Sequence, residues 1–395
     1  MAQNTPVIVD IVRSPIGRGK AGKGALSEVH PVDLLSQVIK GLVERNQIDP
    51  GLVEDVIMGC VSQAGEQSVT PARSAWLAAG YPSHVPGTTI DRRCGSAQQS
   101  IHFAAQAIAA GAHDIVIAGG VESMSRVPMG SARMGADVFG AGIARRYPEG
   151  LVGQGVAADL VATKWGISRT EMDELAARSH QLAAAVQSSG GFDNEIVPIE
   201  TPNGLFTRDE VIRPGTTVEG LAELQPVFGS EEMRARFPDV DWAVTAGNSS
   251  QIVDGAAAAL IMSEAMASKL GLRPRARFVS YSVIGDDMLL MLTAPIPATR
   301  LALKKAGLDV GDIDHFEVNE AFASVPLAWQ REIGADMAKL NPAGGAISTG
   351  HPLGASGAKL MATMLNAMER SGARYGLQTM CEASGMANAT IIERL

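Results

Sequence analysis

Apolar residues run along this chain in two rhythms. Short unbroken blocks, such as Asp55-Val-Ile-Met-Gly59 and Asp114-Ile-Val-Ile-Ala-Gly119-Gly120, are too brief for helices and lack polar alternation. That is the pattern of strands covered on both faces. Between such blocks lie helical stretches. The stretch from about Ser96 to Ala110 is rich in alanine and has no Asp, Glu, Lys or Arg, which predicts a helix without a charged face, buried in the interior. Strands and helices alternate in this way over residues 1–123. From 124 to 250 the rhythm breaks: Met, Gly, Pro and charge increase, and Ser131–Gly142 has little periodicity. One clear element there is a charged amphipathic helix near Ser168–Gln187, opened by a capping box with Ser168 as N-cap and Glu171 three positions on. Alternation resumes near Asp254-Gly-Ala-Ala-Ala-Ala-Leu-Ile and continues through the strand-like Gly376-Leu-Gln-Thr-Met380. The whole predicts an α/β architecture with right-handed parallel crossovers.

Two segments carry the same order of parts. In the first, Asp91-Arg92-Arg93-Cys94-Gly95-Ser96 precedes a small-residue helix and the strand from Asp114. In the second, Gly350-His351-Pro352-Leu-Gly354-Ala-Ser-Gly357 precedes a small-residue helix and a strand that ends at Cys381. This predicts duplication of one αβ module, with strand ends and helix starts of both halves on a shared face where Cys94, His351 and Cys381 meet. A thiol at a helix N-terminus feels the positive end of the dipole, which favours thiolate. Pro352 biases His351 toward an extended backbone, holding an imidazole in front of a buried helix, where it can act as a base. Each residue alone also suits a plainer role: Cys94 and Cys381 as packed core cysteines, His351 as a helix-capping loop residue. Cys60, after the block ending at Gly59, reads as core.

Composition narrows the field. The chain is 46% hydrophobic and only 4% aromatic, with 43 glycines in 395 residues, enough for a large α/β core. A net charge of −9 argues against a nucleic-acid-binding surface. With no long unbroken apolar run, no membrane span is expected. Met1-Ala-Gln-Asn-Thr-Pro6 leads into a strand without a signal-peptide pattern, Glu393-Arg394-Leu395 differs from the usual peroxisomal tripeptide, and three cysteines make no disulfide framework; a cytoplasmic setting is expected. Gly17-Arg-Gly19-Lys-Ala-Gly22 spells a dinucleotide fingerprint but lacks the helix and the later acidic residue that the motif needs. The histidines show no metal-ligand spacing with the cysteines, so no metal is expected. His30 and Asp33 read as helix entry.

Further motifs accompany these: Val12-Arg13-Ser14-Pro15-Ile16-Gly17, Gln63-Ala64-Gly65-Glu66-Gln67, Pro71-Ala72-Arg73, Ala118-Gly-Gly-Val-Glu122-Ser-Met-Ser125, Thr245-Ala-Gly-Asn248-Ser-Ser250 and Val318-Asn319-Glu320-Ala321-Phe322. In this order, and with the Cys94 and His351 runs, the chain resembles the thiolase family over essentially its full length. The resemblance implies duplicated αβ halves forming a layered αβαβα core. Residues 1–123 would be the N-terminal half, completed by about 251–272; 124–250 an inserted loop domain that covers the site and binds coenzyme A; and 273–395 the C-terminal half. It implies reversible, CoA-dependent cleavage of 3-oxoacyl-CoA through an acyl-cysteine, with ping-pong kinetics, coenzyme A as a substrate and no permanently bound cofactor. Cys94 would be the nucleophile and His351 its base. Cys381 would act as acid and then base, with a pKa nearer neutrality than that of a buried apolar thiol. His351 and a water held by Asn319 would stabilise the thioester enolate, and the backbone N–H groups of Cys94 and Ala383 a second oxyanion. Ser250 would bond the pantetheine arm, Arg213 would sit near the adenosine phosphate or ring, and Gln154 and Phe322 are candidates for the acyl pocket. A homodimer or homotetramer is the family norm.

Two departures from the family pattern stand out. Glu382-Ala383-Ser384-Gly385 replaces the usual glycine-rich run, and a positive φ at Ala383 would be costly. Gln154 stands where acetoacetyl-CoA thiolases usually carry methionine, which points to a different acyl pocket. The wording of the chain resembles actinobacterial thiolases of sterol and fatty-acid breakdown. The alternatives are a biosynthetic acetoacetyl-CoA thiolase, a decarboxylating ketosynthase, which would lack the terminal cysteine, and a catalytically silent acyl-CoA-binding protein.

Overall fold

The structure, a computed structural model, describes residues 4–395; Met1-Ala2-Gln3 of the opening run discussed above lie outside the described residues. Ten strands form one sheet. They are β1 (Pro6–Arg13), β2 (Gly17–Arg18), β3 (Asp55–Gly59), β4 (Gly87–Ile90) and β5 (Ile115–Ser123), followed, after a separate hairpin of β6 (Ile199–Thr201) and β7 (Gly204–Phe206), by β8 (Val253–Ser263), β9 (Ala276–Gly285), β10 (His315–Val318), β11 (Tyr375–Glu382) and β12 (Met386–Arg394). The order across the sheet is β10-β11-β12-β9-β1-β8-β5-β3-β4, with β2 on β8.

The expected repeat is visible in that order. The path β1-β8-β5-β3 in the first half matches β9-β12-β11-β10 in the second. In each, two antiparallel pairings are followed by one parallel pairing. The halves join where β1 meets β9, at Val7–Arg277 and Ile8–Ala276.

Five layers result. The helices Pro31–Asn46 and Pro71–Ala78 cover one face of the first half, with Leu34, Leu35, Val38 and Trp76 against Val12, Val56 and Met58. The other face packs on Ser96–Ala109 and Ser356–Ser371, which lie between the two halves. Pro295–Ala306 and Ser324–Ile333 cover the far face of the second half. Strands enclosed on both sides carry continuous apolar runs, and β5 and β8 are buried along their whole length. His30 and Asp33 serve helix entry: the His30 ring accepts from the Val32 N–H, Pro31 opens the helix and Asp33 lies in its first turn. The helix Ser96–Ala109 departs from all-round burial, since Phe103 and Gln106 emerge into solvent. Two of its inward polar groups are bonded, Gln98 to Thr390 and Ser100 to the Gly119 carbonyl, as burial favours.

The irregular stretch holds more structure than its pattern suggests. Gln154–Lys164 packs on Ser324–Ile333, and Arg169–Ser188 packs on the short helix Ala346–Thr349. The Ser168–Glu171 capping box is present. Gly17–Gly22 forms β2 and turns, and among the described residues no helix is long and apolar enough to cross a membrane.

Candidate active site

The chain turns sharply into the helix that carries Cys94. Arg93 adopts a left-handed φ of 49°. The Asp91 carboxylate accepts from the Arg93 N–H at 2.7 Å, while Ser96 Oγ accepts from the Arg92 N–H at 2.8 Å and donates to the Arg93 carbonyl at 2.6 Å. Cys94 is thereby fixed just before the helix and is almost fully buried. The backbone N–H groups of Cys94 and Ala383 both act on its sulfur and pull its pKa down. Burial pushes it up and prevails, with Cys381 and Glu382 adding to the rise. The helix start therefore does not make a resting thiolate: desolvation of a charged sulfur outweighs a partial dipole charge.

Cys381 and Asn319 are brought together by strand register. β10 and β11 run parallel with Val318 beside Thr379, and the Asn319 N–H donates to the Thr379 carbonyl at 3.1 Å. Two residues beyond Thr379, on the same face, comes Cys381, and Asn319 Nδ2 lies 3.7 Å from its sulfur. Asn319 Oδ1 is buried without a partner. Burial pushes the Cys381 thiol up to about 12 against the pull of Asn319, so the resting thiol is not tuned toward neutrality as the resemblance implies. The feared strain at Ala383 is absent. The turn from β11 to β12 places its positive φ values at Ser384 (70°) and Gly385 (67°), and Ala383 delivers its N–H without a left-handed backbone.

His351 is held by two hydrogen bonds. Its N–H donates to the Gln251 carbonyl at 3.2 Å, and Nδ1 lies 2.6 Å from Ser356 Oγ. Nε2 is buried with no partner. Burial, and then the charge of Lys359, push the imidazole down to about 3, so it rests neutral and able to take a proton. Lys359 is itself buried, with Nζ 2.5 Å from Thr349 Oγ1 and 3.2 Å from the Gly350 carbonyl. The His351 loop reaches the Cys94 turn because two helix starts cross closely: a Cβ at Gly357 would lie 2.4 Å from the Gln98 nitrogen. Leu353 and Cys94 share an apolar cluster with Met124, Leu360 and Met380. Glu122, at the end of β5, ties this corner together by accepting from the backbone N–H groups of Val61, Ser62 and Gly354 and from Gln67 Nε2.

The remaining candidates lie at graded distances from this centre. Phe322 is half-buried in the cluster around Cys381 with Val156, Met291 and Ala383, edge-on to Phe228 at 6.0 Å. Gln154 opens the helix Gln154–Lys164, and it is Val156, two residues on, that joins that cluster. The Ser250 N–H donates to the Ala321 carbonyl at 2.9 Å, beside Phe322. Arg213 is exposed; its N–H donates to His180 Nδ1, and Nη2 lies 3.1 Å from Gln251 Oε1. Cys60 is fully buried, as read. Ser356, Lys359 and Glu122 were missed as site-supporting residues. The one usable signal was a single lysine in an otherwise uncharged helix start behind His351.

Two layered repeats, with two thiols and an amide brought together between them and the His351 loop packed against the Cys94 turn, are the architecture of the thiolase class, and comparison with known proteins agrees. The family descriptions "Thiolase, N-terminal domain" and "Thiolase, C-terminal domain" match residues 6–265 and 272–394. The chain belongs to the thiolase family. It is 49% identical over 396 residues to a steroid 3-ketoacyl-CoA thiolase of Mycobacterium tuberculosis, covering 98% of this chain and 94% of that protein. It is 45% identical over 401 residues to a 3-ketoacyl-CoA thiolase of Photobacterium profundum, covering 99% of this chain and 100% of that protein. The crystal structure of an acetyl-CoA acetyltransferase from Bacillus anthracis superposes with a TM-score of 0.88 at 37% identity, covering 100% of both chains.

Proposed function

We propose that this chain cleaves 3-oxoacyl-CoA with free coenzyme A, giving acetyl-CoA and a shortened acyl-CoA through an acyl-cysteine at Cys94. Carrying this reading is the convergence at one point of two buried thiols, with Ala383 N–H on the Cys94 sulfur and the Asn319 amide 3.7 Å from Cys381. His351 Nε2, buried and free of partners, takes the Cys94 proton as the sulfur attacks the keto carbon. Proton loss coupled to attack suits a thiol and an imidazole that both rest neutral. The keto oxygen becomes an oxyanion between the N–H groups of Cys94 and Ala383. The bond between the keto carbon and its α-carbon then breaks, and its electron pair passes into the enolate of acetyl-CoA. The enolate oxygen is held by His351 and by a water on Asn319, and Cys381 gives its proton to the carbon. A second CoA thiol attacks the acyl-enzyme, Cys381 recovers a proton from it, and Cys94 leaves to regain its own from His351. Residues 124–250 act as the covering and CoA-binding domain, with Arg213 toward the adenosine end and Ser250 along the pantetheine arm. Gln154 and Phe322 shape the acyl pocket.

The names of the relatives favour degradation, and the steroid thiolase at 49% identity supports a bulky acyl group. A cytoplasmic homodimer or homotetramer completes the proposal. The test is thiolysis of acetoacetyl-CoA, a long-chain 3-oxoacyl-CoA and a polycyclic 3-oxoacyl-CoA, followed by loss of the enolate absorbance. Preferential cleavage of the larger substrates, abolished by alkylating Cys94, is expected. A strong preference for acetoacetyl-CoA would favour the acetyltransferase activity named for the Bacillus anthracis structure. Binding of CoA with no cleavage of any substrate would overturn the reading in favour of a silent fold.

A further inference from the structure

Behind the Cys94 turn lies a buried polar compartment that the reaction scheme does not use. Glu382 is fully buried, and neither carboxyl oxygen has a hydrogen-bond partner. It sits against Gly95, where an added Cβ would fall 2.0 Å from Glu382 Oε1 and 2.7 Å from Asn388 Nδ2. Asn388 Nδ2 donates to the Gly95 carbonyl at 3.0 Å, while Asn388 Oδ1 is left without a partner. Arg92 Nε, buried at the edge of the same compartment, is also unpaired. Three acceptor oxygens without donors are thus enclosed directly beneath the nucleophile's turn. Buried acceptors in that number are costly unless one of them carries a proton.

We propose that Glu382 is a positioning residue for the acyl-transfer reaction that works as a neutral carboxylic acid, its proton satisfying the compartment under Gly95 and keeping negative charge away from the two thiols. Glu382 has this role only if Cys94 is the nucleophile assigned above. The other charged groups acting on it are Arg92, which favours its ionised form, and Asp91, which opposes it. Asp286 and Asp287 pack against the Ser384–Gly385 turn, but Asp286 accepts from Thr293 Oγ1 and Asp287 from the N–H groups of Leu289 and Leu290. Cys94 and Cys381 are the titratable neighbours on the reactive side, and the charge of Glu382 raises the pKa of both. Burial pushes the Glu382 carboxyl up to about 8, so it stays protonated through neutrality. At higher pH a carboxylate appears beneath Cys94 and disfavours the thiolate when that thiolate is needed.

The experiment compares wild type with Glu382→Gln, a neutral isostere that cannot ionise. The rate of Cys94 alkylation by iodoacetamide is measured by peptide mass spectrometry across the pH range. Near pH 6 the two proteins should react alike; by about pH 9.5 the variant should react about tenfold faster, one unit of thiol pKa being a factor of ten in thiolate. Equal rates at both pH values, or a variant that is uniformly slower, would overturn the proposal and leave Glu382 a packing residue. If the Gln variant does not fold, Arg92→Gln serves instead. Removing that cation raises the Glu382 pKa, so the pH at which the climb of the alkylation rate flattens should move higher; no movement overturns the proposal. Acyl-enzyme formation on wild-type Cys94, detected by intact mass after mixing with an acyl-CoA, separates the two levels. Its absence sinks the function itself, whereas an acyl-enzyme with no Glu382 effect sinks only the inference.

Discussion

Glu122→Gln removes one formal charge and no volume, yet it should be among the more damaging conservative changes in the chain. The Glu122 carboxylate accepts four hydrogen bonds. Oε2 takes the N–H groups of Val61 and Gly354, each at 2.9 Å, and Oε1 takes the Ser62 N–H at 3.0 Å and Gln67 Nε2 at 3.1 Å. Burial pushes its pKa up and these donors pull it down. With four donors and no acceptor around it there is no place for a proton, so the group is read as a carboxylate. A glutamine can accept two of the bonds, but its NH2 must then face two donors. Gln67 cannot easily flip to receive it, because Gln67 Oε1 already accepts from the Ser123 N–H. Two hydrogen bonds to a charged group, at about 1.5–3 kcal/mol each, give a loss of about 3–6 kcal/mol. Gly354 lies three residues after His351, so the loss should reach the reaction: a displaced catalytic loop costs kcat by about 10- to 100-fold, with KM nearly constant. Urea unfolding and steady-state thiolysis check the two arms. A destabilisation below about 1 kcal/mol with full kcat would show that Glu122 carries a proton, for which glutamine is a good substitute, and would refute the reasoning.

Other changes test the centre directly. Cys94→Ser should yield no acyl-enzyme by intact mass and lower thiolysis by about 10³-fold or more, since a hydroxyl beside a resting-neutral imidazole is a far poorer nucleophile; near wild-type turnover would sink the scheme. Asn319→Ala removes the donor that faces Cys381 and the proposed water site, and kcat should fall by about 10²–10³-fold with little change in KM; a pure KM effect in stopped-time assays would contradict that role. Lys359→Met tests the electrostatics of His351. The buried ammonium, held near pKa 8, depresses the imidazole, so its removal lets the His351 pKa rise, and the acid limb of kcat/KM should move to higher pH. The shift belongs below pH 8, where Lys359 is charged; an unmoved limb in a pH–rate profile would dismiss the coupling.

Much of this molecule could be read from residue order. Unbroken apolar blocks marked β3 and β5, and the parallel order of parts around Cys94 and His351 anticipated the matched strand orders of the two halves. The helix Arg169–Ser188 was legible because its capping box is a local signal. The helix Gln154–Lys164 was not, since its apolar residues spread round the cylinder and it is buried by a distant partner, Ser324–Ile333. At the candidate site the sequence offers residue types for the proposal, while their electrostatics lie beyond it. The dipole argument for a Cys94 thiolate used a local feature, while the opposing desolvation comes from the whole interior. The worry over Ala383 likewise assumed which turn position takes the positive φ, and the backbone puts it one residue later, at Ser384. Glu122 shows the limit most plainly: its four donors come from residues 61, 62, 67 and 354, and no window of sequence holds them together.

The joining of the two halves has a consequence for the chain as it is made. β1 meets β9 over two residue pairs, so the bond between halves rests on the interior helices Ser96–Ala109 and Ser356–Ser371, which are separated by most of the polypeptide. A ribosome delivers Cys94 long before Ala383, Asn319, His351 or Cys381, and domains tend to fold in the order in which they emerge. During that interval Cys94 is an ordinary thiol on an unfinished surface, without the N–H of Ala383 or an imidazole. Chemical competence thus arrives with the last strands. On the proposed scheme an incomplete chain would lack acyl transfer while its Cys94 thiol stood open to oxidation.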